Sequence, residues 1–428
     1  MAERPLSRRP RRRPLLGLLL GATLLLGVEL GARLLTGPPM VPVVVRMPDG
    51  SEGLFEGEPL RPKLTEHAEW WPAAPKDPAR PRIVMLGGSS LAGPPHDARL
   101  AANQLAELLQ AEVVNLGIGG MDSGHLLAEL PGVRALEPDL VVVYSGHNDL
   151  GNAVFSQRFG EPGAVALARA RQVLGHSRVF ELLEATWRGQ EEKQVVVQWD
   201  SRDMALGEAE KDAVLADFER RMDALLDGLV EIGAPVLLST VVSNAFFPSV
   251  HWECPERLAE LGVRPSRTAI LPLTEVDPLA VTQARQAEPC RDLDQVAARL
   301  LWASDRSQAS AMLIDLRDRD PKPLRASSRV NRQLRSLVRP GVRLVDAAQA
   351  FQEAGQGVEP PRWFRDPVHF SEDGNRALAV LLAREAAIVL GLPAPQAELP
   401  AVPALDATAC LSERCPRGAG RPPPRRGG

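Results

Sequence analysis

RIVMLGGSSLAG, Arg82 to Gly93, decides how the fold of this chain is read. After Arg82 the run is apolar and partly β-branched, as in a strand covered on both faces. Gly87 and Gly88 end the run and set Ser89 and Ser90 at a tight turn, ahead of a helical stretch from Ala98 to Gln110. The unit recurs along the chain. EVVNLG (Glu112–Gly117) is followed by a helical segment, Ser123–Leu136, and DLVVVYSG (Asp139–Gly146) is continuously apolar. APVLLSTVV (Ala234–Val242) follows a long helix around Lys211–Ile232, and VRLVDA (Val342–Ala347) precedes a last helix, Ser371–Leu390. This alternation predicts an α/β fold, a three-layer doubly wound parallel sheet of about five strands.

The polar residues sit where such a sheet does chemistry, at the C-terminal ends of its strands. LGGSSLAG (Leu86–Gly93) presents a serine at a glycine-lined strand-to-helix turn, where backbone N–H groups face the hydroxyl. Taken alone, it is also the pattern of an ordinary tight turn or an anion-binding nest. NLGIGGMDSG (Asn115–Gly124) and YSGHND (Tyr144–Asp149) end the next two strands, and RDPVHFSEDGN (Arg365–Asn375) leads into the last helix. Asp366 and His369 are three apart on that loop, so the carboxylate can hold the imidazole while His369 takes a serine proton. A dinucleotide-binding reading of the glycines fails, because GIGGMDSG lacks the full GxGxxG spacing.

These four blocks, in this order, resemble the SGNH (GDSL-like) hydrolase superfamily, over roughly Arg82 to Leu390. The resemblance implies an SGNH/flavodoxin-like sheet and a role for each block. GGSS (Gly87–Ser90) implies Ser89 as the nucleophile, with Ser90 the adjacent rival. NLGIGG implies Gly120, and GHND implies Asn148, as oxyanion-hole donors beside the Ser89 N–H. DPVH implies Asp366 and His369 as the rest of the triad. Gly88 stands where the better-known GDS pattern has Asp, which leaves the triad intact but not membership of a familiar lipase branch. The phrasing GGSSLAG, GHND and LSTVVSN (Leu238–Asn244) is more similar to bacterial membrane-anchored members of poorly defined substrate. The expected function is a serine esterase or deacylase acting on an extracytoplasmic small-molecule, glycan or lipid ester. An O-acyltransferase with the same triad and a catalytically silent tethered binding module are the alternatives. No metal or cofactor is expected.

The remaining regions read as an export and tethering apparatus. Residues 1–13 are basic and 14–35 form an apolar run, read as a transmembrane signal anchor that leaves the basic end in the cytoplasm, with a cleaved signal peptide as the alternative. Glu29 and Arg33 interrupt the run four apart, as a pair on one helix face. Residues 36–81 read as a linker, 82–393 as the hydrolase domain with insertions 151–209 and 243–340, and 394–428 as a disordered Pro/Arg-rich tail. Cys254 with Cys290, and Cys410 with Cys415, fit local disulfides in an oxidising compartment, and no CxxC or His pair suggests zinc. A net charge of -4 and 4% aromatic residues over 428 positions exclude a basic, base-stacking nucleic-acid surface. His147, beside Asn148, and His96, just after the nucleophile turn, are candidate substrate contacts. His125 reads as an ordinary helical residue, His251 as surface in the second insertion, and Arg329, Arg332 and Arg335 as one solvated helix face.

Overall fold

Short aliphatic runs bounded by Gly, Pro and Asp become the strands, and the amphipathic stretches between them become the helices. The computed structural model describes residues 12–36, 43–46, 52–55, 76–93, 97–156, 177–180, 182–183, 205–249, 252–263, 273, 275–402 and 404–405. The basic N-terminus, most of the linker and first insertion, His96, His251 and the tail with Cys410 and Cys415 lie outside these residues.

The chain divides into two compact units. The first holds an N-terminal helix, α1 (Arg12–Thr36), and a helical fragment near Arg178. Within it the Glu29–Arg33 pair forms at 2.7 Å. Glu29 also accepts hydrogen bonds from Ser177 Oγ (2.7 Å) and from the N–H groups of Arg178 (2.8 Å) and Val179 (3.2 Å). These bonds, led by that from Arg178, hold its carboxyl down to about 2. Among the described residues no helix is long and apolar enough to cross a membrane, so the expected span finds no support there. The second half of α1 carries a charged pair whose Glu29 also caps the segment near Arg178. Two short strands, β1 (Val43–Arg46) and β2 (Glu52–Phe55), pair with each other.

The second unit is built on five parallel strands: β3 (Arg82–Gly87), β4 (Glu112–Gly117), β5 (Leu140–Tyr144), β6 (Val236–Ser239) and β7 (Val342–Val345). Their order is β4-β3-β5-β6-β7. Strands β3, β5 and β6 are buried along their whole length, as their uninterrupted apolar runs require. Each fully buried Val or Leu contributes about 1.5–3 kcal/mol. Helix α2 (Ala101–Leu109) packs on the Glu372–Leu390 helix, and the Glu208–Ile232 helix packs on a separate group. That group is α3 (Ser123–Ala128), α4 (Leu130–Ala135), α5 (Asn148–Ser156) and Ser328–Ser336.

The helix expected over Ser123–Leu136 is broken into α3 and α4 at Glu129, because Pro131 has no N–H to continue the ladder. The break leaves Glu129 5% exposed, with Oε2 lacking a hydrogen-bond partner among the described residues. Burial pushes its carboxyl up from 4.5 to about 8. A folded-state value above the unfolded one contributes stability at acid pH that is lost as pH rises through about 8. Melting temperature is therefore expected to fall between pH 5 and 9, with a flatter profile for Glu129→Gln. Parallel profiles for the two proteins, measured by circular dichroism, would contradict this account.

Candidate active site

The strand register aligns three loops. Gly87 lies opposite Gly117 on one side and Tyr144 on the other, so the segments following β3, β4 and β5 leave the sheet at one level. The chain order reverses between β3 and β5, the switch point where ligands bind in open α/β sheets.

Ser89 follows β3 in a turn closed by Leu91 N–H to Gly88 O (3.1 Å) and Ala92 N–H to Ser89 O (3.2 Å). It is half-buried, and neither its hydroxyl nor its N–H makes a hydrogen bond among the described residues. Ser90, by contrast, is buried, and its Oγ donates to Val368 O at 3.1 Å. The two adjacent serines thus have separate duties, one presented and one anchored.

Asp366 and His369 form the expected pair, Nδ1 to Oδ2 at 2.7 Å. Asp366 Oδ1 takes the N–H groups of Val368 (3.0 Å) and His369 (2.8 Å), so carboxylate and loop are locked together. Burial alone would raise Asp366; the hydrogen bonds from the His369 ring and these two N–H groups outweigh it and hold the carboxyl below its ordinary value. Phe364 and Phe370 bridge the base of the loop with ring centroids 5.3 Å apart, and Phe351 packs on both rings. Asn244 N–H donates to Pro367 O at 2.9 Å, bringing in the segment after β6. Because Ser90 adjoins Ser89 and Val368 adjoins His369, the Ser90–Val368 bond joins the Ser89 turn to the Asp366–His369 loop across 278 residues.

The oxyanion-hole candidates come from the other two loops. Gly120 is exposed, has φ +79° and keeps an N–H without an acceptor among the described residues. Asn148 begins α5 and donates from Nδ2 to Met121 O at 2.7 Å, leaving its second N–H for a ligand. A Cβ at position 88 would overlap that same Nδ2, which is why glycine stands there. Gly88→Ala should therefore lower kcat by at least about tenfold through displacement of a donor. Unchanged ester turnover in that variant would refute the contact.

Three supporting residues were not assigned a role from sequence. Asn152, one helical turn beyond Asn148, donates to Gly120 O (3.0 Å) and Asp122 Oδ2 (2.7 Å). Its i, i+4 spacing from Asn148 was the available signal. Asp149 is buried and accepts from Ser123 through both N–H (3.1 Å) and hydroxyl, tying α3 to α5. Burial, then the charge of Asp122, push its carboxyl up. His125, read as ordinary, pairs through Nδ1 with Asp122 Oδ1 at 2.7 Å in a capping box.

His147 is 6% exposed, and its Nδ1 accepts the Ala326 N–H at 3.1 Å. Burial, then the proximity of His369, push it down to about 3, so it is a neutral interior residue. Arg335 pairs with Asp346 at 2.7 Å and Arg329 with Asp212, on a partly exposed face. Cys254, Cys290 and Asp292 cluster within 4.8 Å. The two cysteines are joined as a disulfide, and Asp292 Oδ2 accepts from the N–H groups of Glu253 and Cys254 (2.7 and 2.9 Å). That cluster is a structural staple.

No curated protein matches the chain in sequence. Among solved structures it is similar to the acetyl xylan esterase AlAXEase, at 14% identity and TM-score 0.33, over 70% of this chain and 97% of that one. A GDSL-like lipase from Bacteroides thetaiotaomicron VPI-5482 is similar at 12% identity and TM-score 0.36, over 77% and 96%. A catalytic mutant of an acetylxylan esterase from Geobacillus stearothermophilus gives 14% identity and TM-score 0.31, over 74% and 97%. Superpositions this loose decide neither activity nor substrate. Residues 85–261 match the model of the GDSL-like lipase/acylhydrolase family, a span that includes Ser89, Gly120 and Asn148. Over that segment, with the blocks it carries, the chain is similar to the GDSL-like lipase/acylhydrolase family of serine ester hydrolases.

Proposed function

We propose that the chain hydrolyses an extracytoplasmic ester through an acyl-enzyme on Ser89. The observation that carries this reading is the Ser90–Val368 bond, which joins the turn bearing Ser89, whose hydroxyl is unengaged among the described residues, to the loop bearing the Asp366–His369 pair. The hydrogen bond from His369 Nδ1 to Asp366 leaves Nε2 with its lone pair, the form that accepts a proton.

Ser89 Oγ attacks the acyl carbon while its proton passes to His369 Nε2. The developing oxyanion takes hydrogen bonds from the Ser89 N–H, the Gly120 N–H and the second Asn148 Nδ2–H. Collapse expels the alcohol, which leaves with the proton from His369. Water then repeats the sequence on the acyl-enzyme, deprotonated by His369 as it attacks, and releases the acid and Ser89. Asp366 stays ionised throughout, in keeping with a carboxyl held below its ordinary value. An oxidising compartment is supported by the Cys254–Cys290 disulfide in the second insertion.

Acetyl-ester hydrolysis by the purified chain, measured beside Ser89→Ala, tests the reading: turnover should vanish in the variant. Turnover that survives Ser89→Ala, or folded wild-type protein that neither turns over acetyl esters nor is labelled by a fluorophosphonate, would overturn it. Asp366→Asn should retain the fold and lower kcat by roughly 10⁴, because the wrong imidazole tautomer is then held. A loss smaller than about tenfold would remove Asp366 from the triad.

A further inference from the structure

Resting on that reading, we infer that Asn152 is a positioning residue for the oxyanion hole, holding the Gly120 donor loop against the helix that carries Asn148. Its amide has two hydrogens and two fixed acceptors. One is Gly120 O at 3.0 Å and the other Asp122 Oδ2 at 2.7 Å. The two acceptors settle its orientation, since a flipped amide would set its oxygen against both.

The second acceptor is itself immobilised. Asp122 caps α3, its Oδ1 taking the N–H groups of Gly124 (3.1 Å) and His125 (3.2 Å) and the His125 ring (2.7 Å). Asn152 therefore bridges the glycine loop, with Gly120 at φ +79°, to two helical segments, the first turn of α3 and the body of α5. Asn148 binds Met121 O on the next residue of that loop, so two asparagines one turn apart on α5 grip consecutive carbonyls, Gly120 and Met121. The consequence for catalysis is specific. A Gly120 loop released from Asn152 samples orientations in which its N–H misses the oxyanion, while substrate binding elsewhere is untouched. The effect should appear in kcat and leave KM alone.

The isosteric variant separates hydrogen bonding from packing. Asn152→Asp keeps the shape but places an oxygen against two acceptors, one of them a carboxylate, whereas Asn152→Ala only removes the donors. The experiment uses the full chain with p-nitrophenyl acetate for kcat and KM, a fluorophosphonate for the rate of Ser89 phosphonylation, and thermal melting for stability. Asn152→Ala is expected to lower kcat and the phosphonylation rate by about 10- to 100-fold, less than the 10²–10³ of an outright donor deletion. KM should stay within about twofold, and Asn152→Asp should be at least as impaired. The inference is overturned if both variants keep wild-type kcat, if Asn152→Asp is milder than Asn152→Ala, or if lost activity simply tracks lost melting temperature. Absence of both turnover and labelling in the wild-type protein, or their persistence in Ser89→Ala, overturns the serine site itself and this inference with it.

Discussion

The register of three adjacent parallel strands is the constraint from which the site follows. With Gly87 opposite both Gly117 and Tyr144, the loops bearing Ser89, Gly120 and Asn148 begin at one level on one edge of the sheet. Side chains alternate along a strand, so a slip of one residue would turn each tip to the other face and separate the three groups. β3 and β5 are buried along their whole length, so this register lies inside the core.

Sheet register sets the loops side by side but does not aim their donors. Aiming depends on a few long-range polar bonds. Ser90 to Val368 joins the first loop to the last, Asn148 to Met121 joins the third to the second, and Asn244 to Pro367 ties the segment after β6 to the dyad loop. Each of these bonds has a main-chain carbonyl as acceptor, so it holds the backbone itself in place. Gly88 belongs to the same arrangement, since only a residue without a Cβ lets the Asn148 amide lie so close to the nucleophile turn.

The second insertion is more than a surface loop. Phe246, Phe247, Trp302, Leu313 and Val358 form one buried cluster, and Leu258, Val281, Leu293 and Val296 form another. The Cys254–Cys290 disulfide closes the second cluster, with Cα atoms 6.5 Å apart. A buried ion pair, Arg317 with Glu359 at 3.3 Å, ties the insertion to the segment after β7. Together these give the segment a core of its own.

The sequence by itself determined the five strands, their parallel α/β class and the four blocks at their tips. Continuous apolar runs, glycines at strand ends and Asp366 three residues before His369 are local patterns that need no partner to be recognised. β3 and β4 form over the predicted residues, and β5, β6 and β7 are shorter than predicted, because their end residues turn away into loops. Only the tertiary structure separated Ser89 from Ser90, because the distinction is a hydrogen bond to a residue 278 positions away. It alone explained Gly88, whose neighbour is a side chain from another strand's loop, and it alone exposed Asn152. It alone showed that Glu29 of α1 caps the segment near Arg178. What the chain writes locally is secondary structure and residue chemistry. Which polar group meets which is decided when the sheet brings distant loops to one edge, and no local pattern records that meeting.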